Sequence, residues 1–489
     1  MSDRIRNWKL LYNSYTGMQK KAVEFLYKEI GTQYIRDPGV YLHHVIPCEK
    51  ETPATCLDKN VFVLGTWEES PIIQRFIKRE EIPADGYLVK VMANPDNPEL
   101  HIVILTGDTY REVFYAAVDF IDDYAPKGAV FQSHLYYPAK FMYGPWPNYY
   151  RASAPKIKTR SIFTWGHPIN DYREYIENMA RMRLNQLVIW NDFVPLNAQD
   201  VVDYAHEFGI EVLWGFSWGW YSGRNKRDID FAHLEVLTKE VVEQYEREYA
   251  HLCGDGIYFQ SFTETSEEAV NGVVIAQAVM DFVNATSGEL LAKYPNLKLQ
   301  FGLHATSVKK TTKYIAQVDP RVEIVWEDCG AFPFLYEAVD INNGMNFEET
   351  AEFVQKIIDL RPGAPVGMYY KGQMVMEWGA WEYGAFGHQT GPYVMGITSQ
   401  ETKEEDLRTN RTIWKSFQSD WLVYGKNAYD MTRMVLEKTG GNVNVGMAGQ
   451  FSGKIWYSTA FTAQLLWDCS EEYEAIVDRV CRRQNLQLS

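Results

Sequence analysis

The run Gly256-Ile257-Tyr258-Phe259-Gln260-Ser261-Phe262-Thr263-Glu264 begins β-prone and apolar, turns polar, and ends on a single carboxylate. Glu327 and Asp328 stand in the same setting after Trp326, and Glu377 and Glu382 are interleaved with Trp378 and Trp381. Carboxylates paired across a cleft can hydrolyse a glycosidic bond: one protonates the leaving oxygen, the other activates water or attacks the sugar. Glu264 is the best-placed proton donor, because a strand of low charge seldom ends on a carboxylate without a partner or a task. To stay protonated near neutral pH it needs an apolar setting, which Tyr258 and Phe262 would supply. The second carboxylate is one of Glu327, Asp328, Glu377 and Glu382, and residue type alone does not rank them. Glu267 and Glu268 follow closely but read as the start of a helix, where the helix dipole favours acidic side chains.

Such acids need elements that aim them at one place. Short β-prone runs recur at 159–165, 186–190, 211–216, 256–261, 298–303, 323–326, 366–370 and 393–397. Helical patterns separate most of them, among them 172–182, 198–208, 234–251, 267–293, 347–360 and 407–424. This alternation predicts an α/β fold, a (β/α)8 TIM barrel whose strand ends converge on one mouth. The expected lining of that mouth is Trp165, His167, Trp190, Asn191, Trp218, Trp220, Gln260, His304, Trp326, Tyr370, Lys371, Trp378 and Trp381. Aromatic faces of this kind bind sugar rings while the acids flank the bond.

Ahead of the barrel, Leu10, Leu11, Met18, Ala22, Leu26 and Ile30 recur at roughly helical spacing and predict an N-terminal helical segment over 1–40. Residues 41–150 carry short β-prone runs at 61–64, 86–91 and 101–106, then a helix opened by Thr109, which predicts a small α+β domain. The barrel is expected over 151–425. A helical C-terminal segment over 426–489 is expected against its flank, where it is a candidate surface for a homodimer.

The chain has 489 residues, 46% hydrophobic and 23% charged, which is ordinary globular composition. Fifteen Trp, 32 Tyr and 24 Phe make it rich in aromatics, which favours a carbohydrate ligand. A net charge of −16 argues against a nucleic-acid or anionic-membrane partner. Cys48, Cys56, Cys253, Cys329, Cys469 and Cys481 are scattered without metal-type spacing and read as reduced thiols. There is neither a signal-like start nor a run of membrane-spanning length, so a cytoplasmic protein is expected.

Ordered motifs carry a resemblance. The N-terminal part has Val63-Leu64-Gly65-Thr66, Asp85-Gly86-Tyr87, Ile104-Leu105-Thr106-Gly107-Asp108 and Tyr115-Ala116-Ala117-Val118-Asp119-Phe120. The later part has Phe262-Thr263-Glu264, then Glu327-Asp328-Cys329-Gly330-Ala331-Phe332-Pro333 and Glu377-Trp378-Gly379-Ala380-Trp381-Glu382-Tyr383-Gly384. It closes with Gly425-Lys426-Asn427-Ala428-Tyr429-Asp430. The first set resembles the N-terminal domain shared by β-hexosaminidases and α-glucuronidases, which supports the barrel without doing chemistry. The second set resembles α-glucuronidases, glycosidases of xylan side chains. Carried over, the resemblance makes Glu264 the general acid, Asp328 the first base candidate and Glu382 the second. The chain departs from the pattern at Val113, where those families have Gly, and in the loops between strands one and four, which set specificity. No consecutive Asp-Glu or Asp-Asp pair follows strand four, so a substrate-assisted hexosaminidase mechanism fits less well.

The expected function is therefore an exo-acting glycoside hydrolase for a small carbohydrate or oligosaccharide, with no cofactor and no metal. The rivals are a β-hexosaminidase-like glycosidase, a metal-dependent sugar isomerase or epimerase, and a carbohydrate-binding protein without turnover. In the isomerase, Glu264, His304, Glu327 and Asp328 would ligate the metal. A uronide would need a cation for its carboxylate, and Lys371 is the expected anchor unless it neutralises a nearby acid.

Overall fold

In a computed structural model of the chain, Trp8–Tyr12 is a strand (β1), not the start of a helix. Trp8, Lys9, Leu10 and Leu11 are all buried, as in a central strand covered on both faces. Such a strand shows a continuous apolar run, and short runs of that kind also fit helical spacing. The expected helix is confined to Gly17–Leu26 and the π-helical turn Tyr27–Gly31 that continues it. The structure describes residues 8–37, 40–125, 146–164, 171–190, 194–219, 229–262, 267–304, 308–328, 346–373, 418–448 and 457–483, with Glu401, Glu404, Arg408, Thr412 and Lys415.

Two compact units result: Met1–Pro155 with Glu207–Gly209, and Lys156–His206 with Ile210–Ser489. In the first, β2 (Thr32–Asp37) and β3 (Val40–Val45) form an antiparallel pair of their own. The sheet of this unit adds β4 (Cys48–Lys50), β5 (Asn60–Thr66), β6 (Tyr87–Asn94), β7 (Asn97–Gly107) and β8 (Tyr149–Ser153) to β1. Their order is β4-β1-β5-β7-β6-β8, parallel from β4 to β7 and antiparallel at β6 and β8. Thr109 and Glu112 cap the helix Tyr110–Asp119 reciprocally, as its Thr-x-x-Glu spelling predicts.

The second unit holds β9 (Thr159–Phe163), β10 (Gln186–Trp190), β11 (Glu211–Ser217) and β12 (Gly256–Gln260). A small hairpin follows, β13 (Ala269–Val270) and β14 (Val273–Val274). It stands where a helix was expected from 267. Asn271 and Gly272, at φ of 50° and 81°, make the tight turn that Asn-Gly favours, and the helix begins only at Ile275. Then come β15 (Lys298–His304), β16 (Glu323–Glu327), β17 (Val366–Tyr370) and β18 (Asn444–Ala448). The strands β9 to β12 and β15 to β18 pair in parallel and close into a barrel, β18 returning to β9. The fold class is thus the predicted (β/α)8 barrel with a separate sheet-bearing N-terminal part.

The eighth strand corrects the expected organisation. The run at 393–397 lies outside the described residues, and Asn444–Ala448, inside the segment read as a helical flank, closes the barrel. Residues 426–489 therefore supply barrel elements: the helix Lys426–Thr439, then β18, then the helices Tyr457–Trp467 and Tyr473–Arg483. The strand was hard to see because an Asn and a Gly occupy its lumen-facing positions, leaving little apolar signal. No described helix is long and apolar enough to cross a membrane.

Side chains alternate along each strand, so every second residue enters the lumen. At the N-terminal end these are polar: Gln300 Nε2 donates to Gln186 Oε1 (2.8 Å) and to Glu323 Oε2 (2.6 Å), and Ser161 Oγ donates to Asn444 Oδ1 (2.6 Å). Above them Phe163, Val188, Leu213, Tyr258, Val325 and Tyr369 pack into an apolar middle layer. Tyr369 fits because its neighbour on β18 is Gly446, where a β-carbon would overlap the ring.

Glu323 gives the floor a pH signature. Its residue keeps some surface, yet its carboxyl is enclosed, and burial pushes it up from about 4.5 to about 7 despite hydrogen bonds from Asn444 and Gln300. A carboxyl raised in the folded state contributes stability that is present below its unfolded value and is lost as pH rises through the folded value. Stability should therefore fall between about pH 4.5 and 7, by at most about 3 kcal/mol from this group. Glu323→Gln should flatten that slope, as urea unfolding measured across the interval will show; an unchanged slope would assign it to other groups.

Candidate active site

The polar upper layer of the lumen is built by the last inward residues of several strands. On β16 the alternation that sends Glu323 and Val325 inward also sends Glu327 inward. On β17 it sends Tyr369 and then Lys371 inward; on β12, Tyr258 and Gln260. The Lys371 ammonium pairs with Glu327 Oε2. The Tyr258 hydroxyl donates to Oε1 of the same carboxylate, and Gln260 Nε2 donates to it over 2.8 Å. All four side chains are buried, Glu327 completely. Burial pushes the Glu327 carboxyl up from its ordinary value, and the Lys371 ammonium opposes that push.

Among the described residues, three partly exposed ones stand at neighbouring strand ends: Trp190 at the end of β10, Ser217 at the end of β11 and His304 at the end of β15. His304 stands across from Glu327 in the strand register. The Trp190 ring lies 6.0 Å from that of Tyr258 and 6.3 Å from that of Phe163, edge-on and tilted, so it caps the aromatic layer. The mouth thus offers an aromatic wall and an imidazole above a buried charge pair.

Several expected lining residues do not face the lumen, and the cause is the same alternation. Trp218 is fully buried, stacked on Phe259 at 3.5 Å and set against Phe282 of the helix Ile275–Lys293. Trp326 packs edge-on against Phe353 of the helix Phe347–Asp359. Tyr370 reaches Thr432 of the helix Lys426–Thr439 through its hydroxyl, at 2.7 Å. All three belong to the interface between barrel and helices, which corrects their assignment to substrate binding. Asp328 is also buried, and its Oδ1 accepts the Lys371 backbone N–H at 2.7 Å. Of the two adjacent acids after Trp326, Glu327 has the lumen and Asp328 ties β16 to β17.

Glu264, Glu377 and Glu382 lie outside the described residues, as do Trp165, His167, Asn191, Trp220, Trp378 and Trp381. Among the described residues no three His, Cys, Asp or Glu side chains come together as a metal ion would need. Tyr258 was expected as apolar surroundings for Glu264, not as a hydrogen-bond donor to Glu327. Its signal was its place two residues before Gln260 on one strand, hence on the same face.

No family model matches the chain, and no curated protein matches it. Solved structures do. A chitobiase from Flavobacterium johnsoniae is 10% identical over 99% of this chain and 69% of its own, with a TM-score of 0.49. A GH20 exo-β-N-acetylglucosaminidase from Vibrio harveyi, solved with N-acetylglucosamine, is 10% identical over 98% of this chain and 74% of its own, with a TM-score of 0.44. A family 89 glycoside hydrolase from Clostridium perfringens, solved with 2-acetamido-1,2-dideoxynojirmycin, is 9% identical over 91% of this chain and 56% of its own, with a TM-score of 0.47. Each of the three is a glycoside hydrolase. At these identities and scores the likeness assigns this chain neither a substrate nor residue roles.

The closeness of Tyr258 and Glu327 depends on Gly302, whose β-carbon would overlap the Tyr258 hydroxyl and lie 2.7 Å from Glu327 Oε1. Gly302→Ala should force one partner aside and cost about 1–3 kcal/mol, the usual range for overpacking. Denaturant unfolding will measure it, and a loss below about 0.5 kcal/mol would mean that the lumen relaxes freely there.

Proposed function

We propose that the chain is an exo-acting glycoside hydrolase, with the sugar seated at the C-terminal mouth of the barrel. The observation that carries this reading is the lumen-facing Glu327 cluster beneath the partly exposed Trp190 and His304, at the end of the barrel where such enzymes work. An indole face suits the apolar face of a sugar ring, and an anion below the ring suits the positive charge that develops at its anomeric carbon. The ordered motifs around Glu264 and Glu382 support the same reading from the sequence side.

In this reading Glu264, which follows β12, protonates the leaving oxygen. Both Glu327 oxygens are engaged by Lys371, Tyr258 and Gln260, so activating the water or attacking the sugar falls to an acid after β17, with Glu382 preferred over Glu377 on the resemblance. Asp328, occupied with the Lys371 backbone, is no longer the favoured base. Glu327 stabilises charge without leaving its place. The sugar, the anomer and the stereochemical course follow from assay.

Glu264→Gln should lower kcat by about 10² to 10⁴ on glycosides with poor leaving groups and least on activated aryl glycosides. Near-normal turnover of a poorly activated glycoside would remove Glu264 from the acid's role. Glu382→Gln should lose comparable activity, and added azide should restore part of it with a glycosyl azide as product. Should azide rescue Asp328→Asn instead, the base lies on β16 after all.

A further inference from the structure

A carboxylate buried without compensation costs several kcal/mol and takes a proton instead. Glu327 is fully buried, yet it has three donors on its two oxygens and one of them is a cation. Lys371 is equally enclosed, with its ammonium on Oε2 and its backbone N–H on Asp328. The donors come from two different strand ends, β12 and β17, on either side of the acid. An arrangement that commits a lysine in this way has a consequence for substrate choice.

We propose that Lys371 is a positioning residue, which holds Glu327 as a fixed anion under the sugar site and thereby selects an uncharged glycone over a uronide. The proposal rests on the glycoside hydrolase reading of the mouth and deepens it. A uronide carboxylate at this floor would approach an ammonium already paired, with the Glu327 anion beside it. It would find little net attraction and a like charge close by. A neutral ring brings hydroxyl groups and, at the transition state, positive charge, both of which an anionic floor favours.

Among the described residues, the titratable groups facing Glu327 are Tyr369 of β17 and Lys371 directly after it, Tyr258 from β12 and His304 from β15, with Asp328 next in the chain but turned to the Lys371 backbone. Lys371 supplies the strong positive charge of this set. Tyr258 and Gln260 contribute neutral donors, which orient the carboxylate but cannot alone balance its charge. If Lys371 only filled space, its replacement would lower stability and leave the ionisation of Glu327 where it is.

The test compares the wild type with Lys371→Met, Lys371→Arg and Glu327→Gln on p-nitrophenyl glucosides, xylosides, N-acetylglucosaminides and glucuronides of both anomers, from pH 4 to 9. The expected result is that Lys371→Met lowers kcat by at least about 10² and raises the acidic midpoint of kcat/KM by about one unit or more. Lys371→Arg, which keeps the charge, should retain the wild-type midpoint. The wild type should turn over at least one neutral glycoside faster than the matching glucuronide. A glucuronide cleaved faster than its neutral counterpart overturns the choice of glycone, and an unshifted profile in Lys371→Met overturns the positioning role. Difference infrared spectroscopy at pH 7 reads the pair without turnover: Lys371→Met should gain a protonated-carboxyl band that adding Glu327→Gln removes. Lys371→Gln gives the same readout in milder form if Lys371→Met does not fold. If no glycoside is cleaved, the glycoside hydrolase reading fails and the choice of glycone with it, while the infrared band still decides whether Lys371 keeps Glu327 ionised.

Discussion

A carboxylate and an ammonium buried side by side set the terms for the upper half of this barrel. Glu327 and Lys371 can both be enclosed because each cancels the other's charge, and removing either would strand the partner in a place water does not reach. The pairing requires β16 and β17 to end in register, which the Asp328 contact to the Lys371 backbone enforces. It also requires β12 to bring Tyr258 and Gln260 to the same carboxylate. Gly302 makes the space in which they meet.

The lumen below solves a related problem by other means. Glu323 and Glu327 lie on one strand and point the same way, four residues apart. At the floor, amides from Gln300 and Asn444 surround Glu323, and a carboxyl among neutral dipoles is pushed up to about 7. At the mouth, Glu327 has an ammonium. Between them the aromatic layer of Phe163, Tyr258 and Tyr369 separates the two acids and keeps their environments distinct. One strand thus carries a carboxyl suited to amide contacts at one end and a charge-paired one at the other.

Much of the barrel was legible in the chain. The strands Gln186–Trp190 and Val366–Tyr370 have the bounds expected from their β-prone runs. The helices Tyr172–Arg181 and Phe347–Asp359 announce themselves by amphipathic spacing and by Asp171 and Asn346 as caps. Of the candidate site, the strand-end placement of Trp190, Gln260, His304, Glu327 and Lys371 was legible, and these side chains share the lumen side. Trp218, Trp326 and Tyr370 shared that sequence signal and face the helices instead.

Local sequence determined where most of the barrel's strands and helices form, because hydrophobic spacing, caps and turn residues act over a few neighbours. It did not determine which face of a strand enters the lumen, because both faces are buried and the lumen face itself changes from polar to apolar and back along the barrel axis. Trp326 and Glu327 are both fully buried, one against a helix and one in the lumen. Closure of the barrel made that choice. The same closure recruited Asn444–Ala448 as the eighth strand, although its Asn and Gly look like a loop, since only a thin inward side fits beside Tyr369. The pairing of Glu327 with Lys371 rather than with a ligand was likewise a tertiary decision. Forty-four residues separate the two in the chain, and the low dielectric of the lumen makes their attraction decisive only once they are enclosed together.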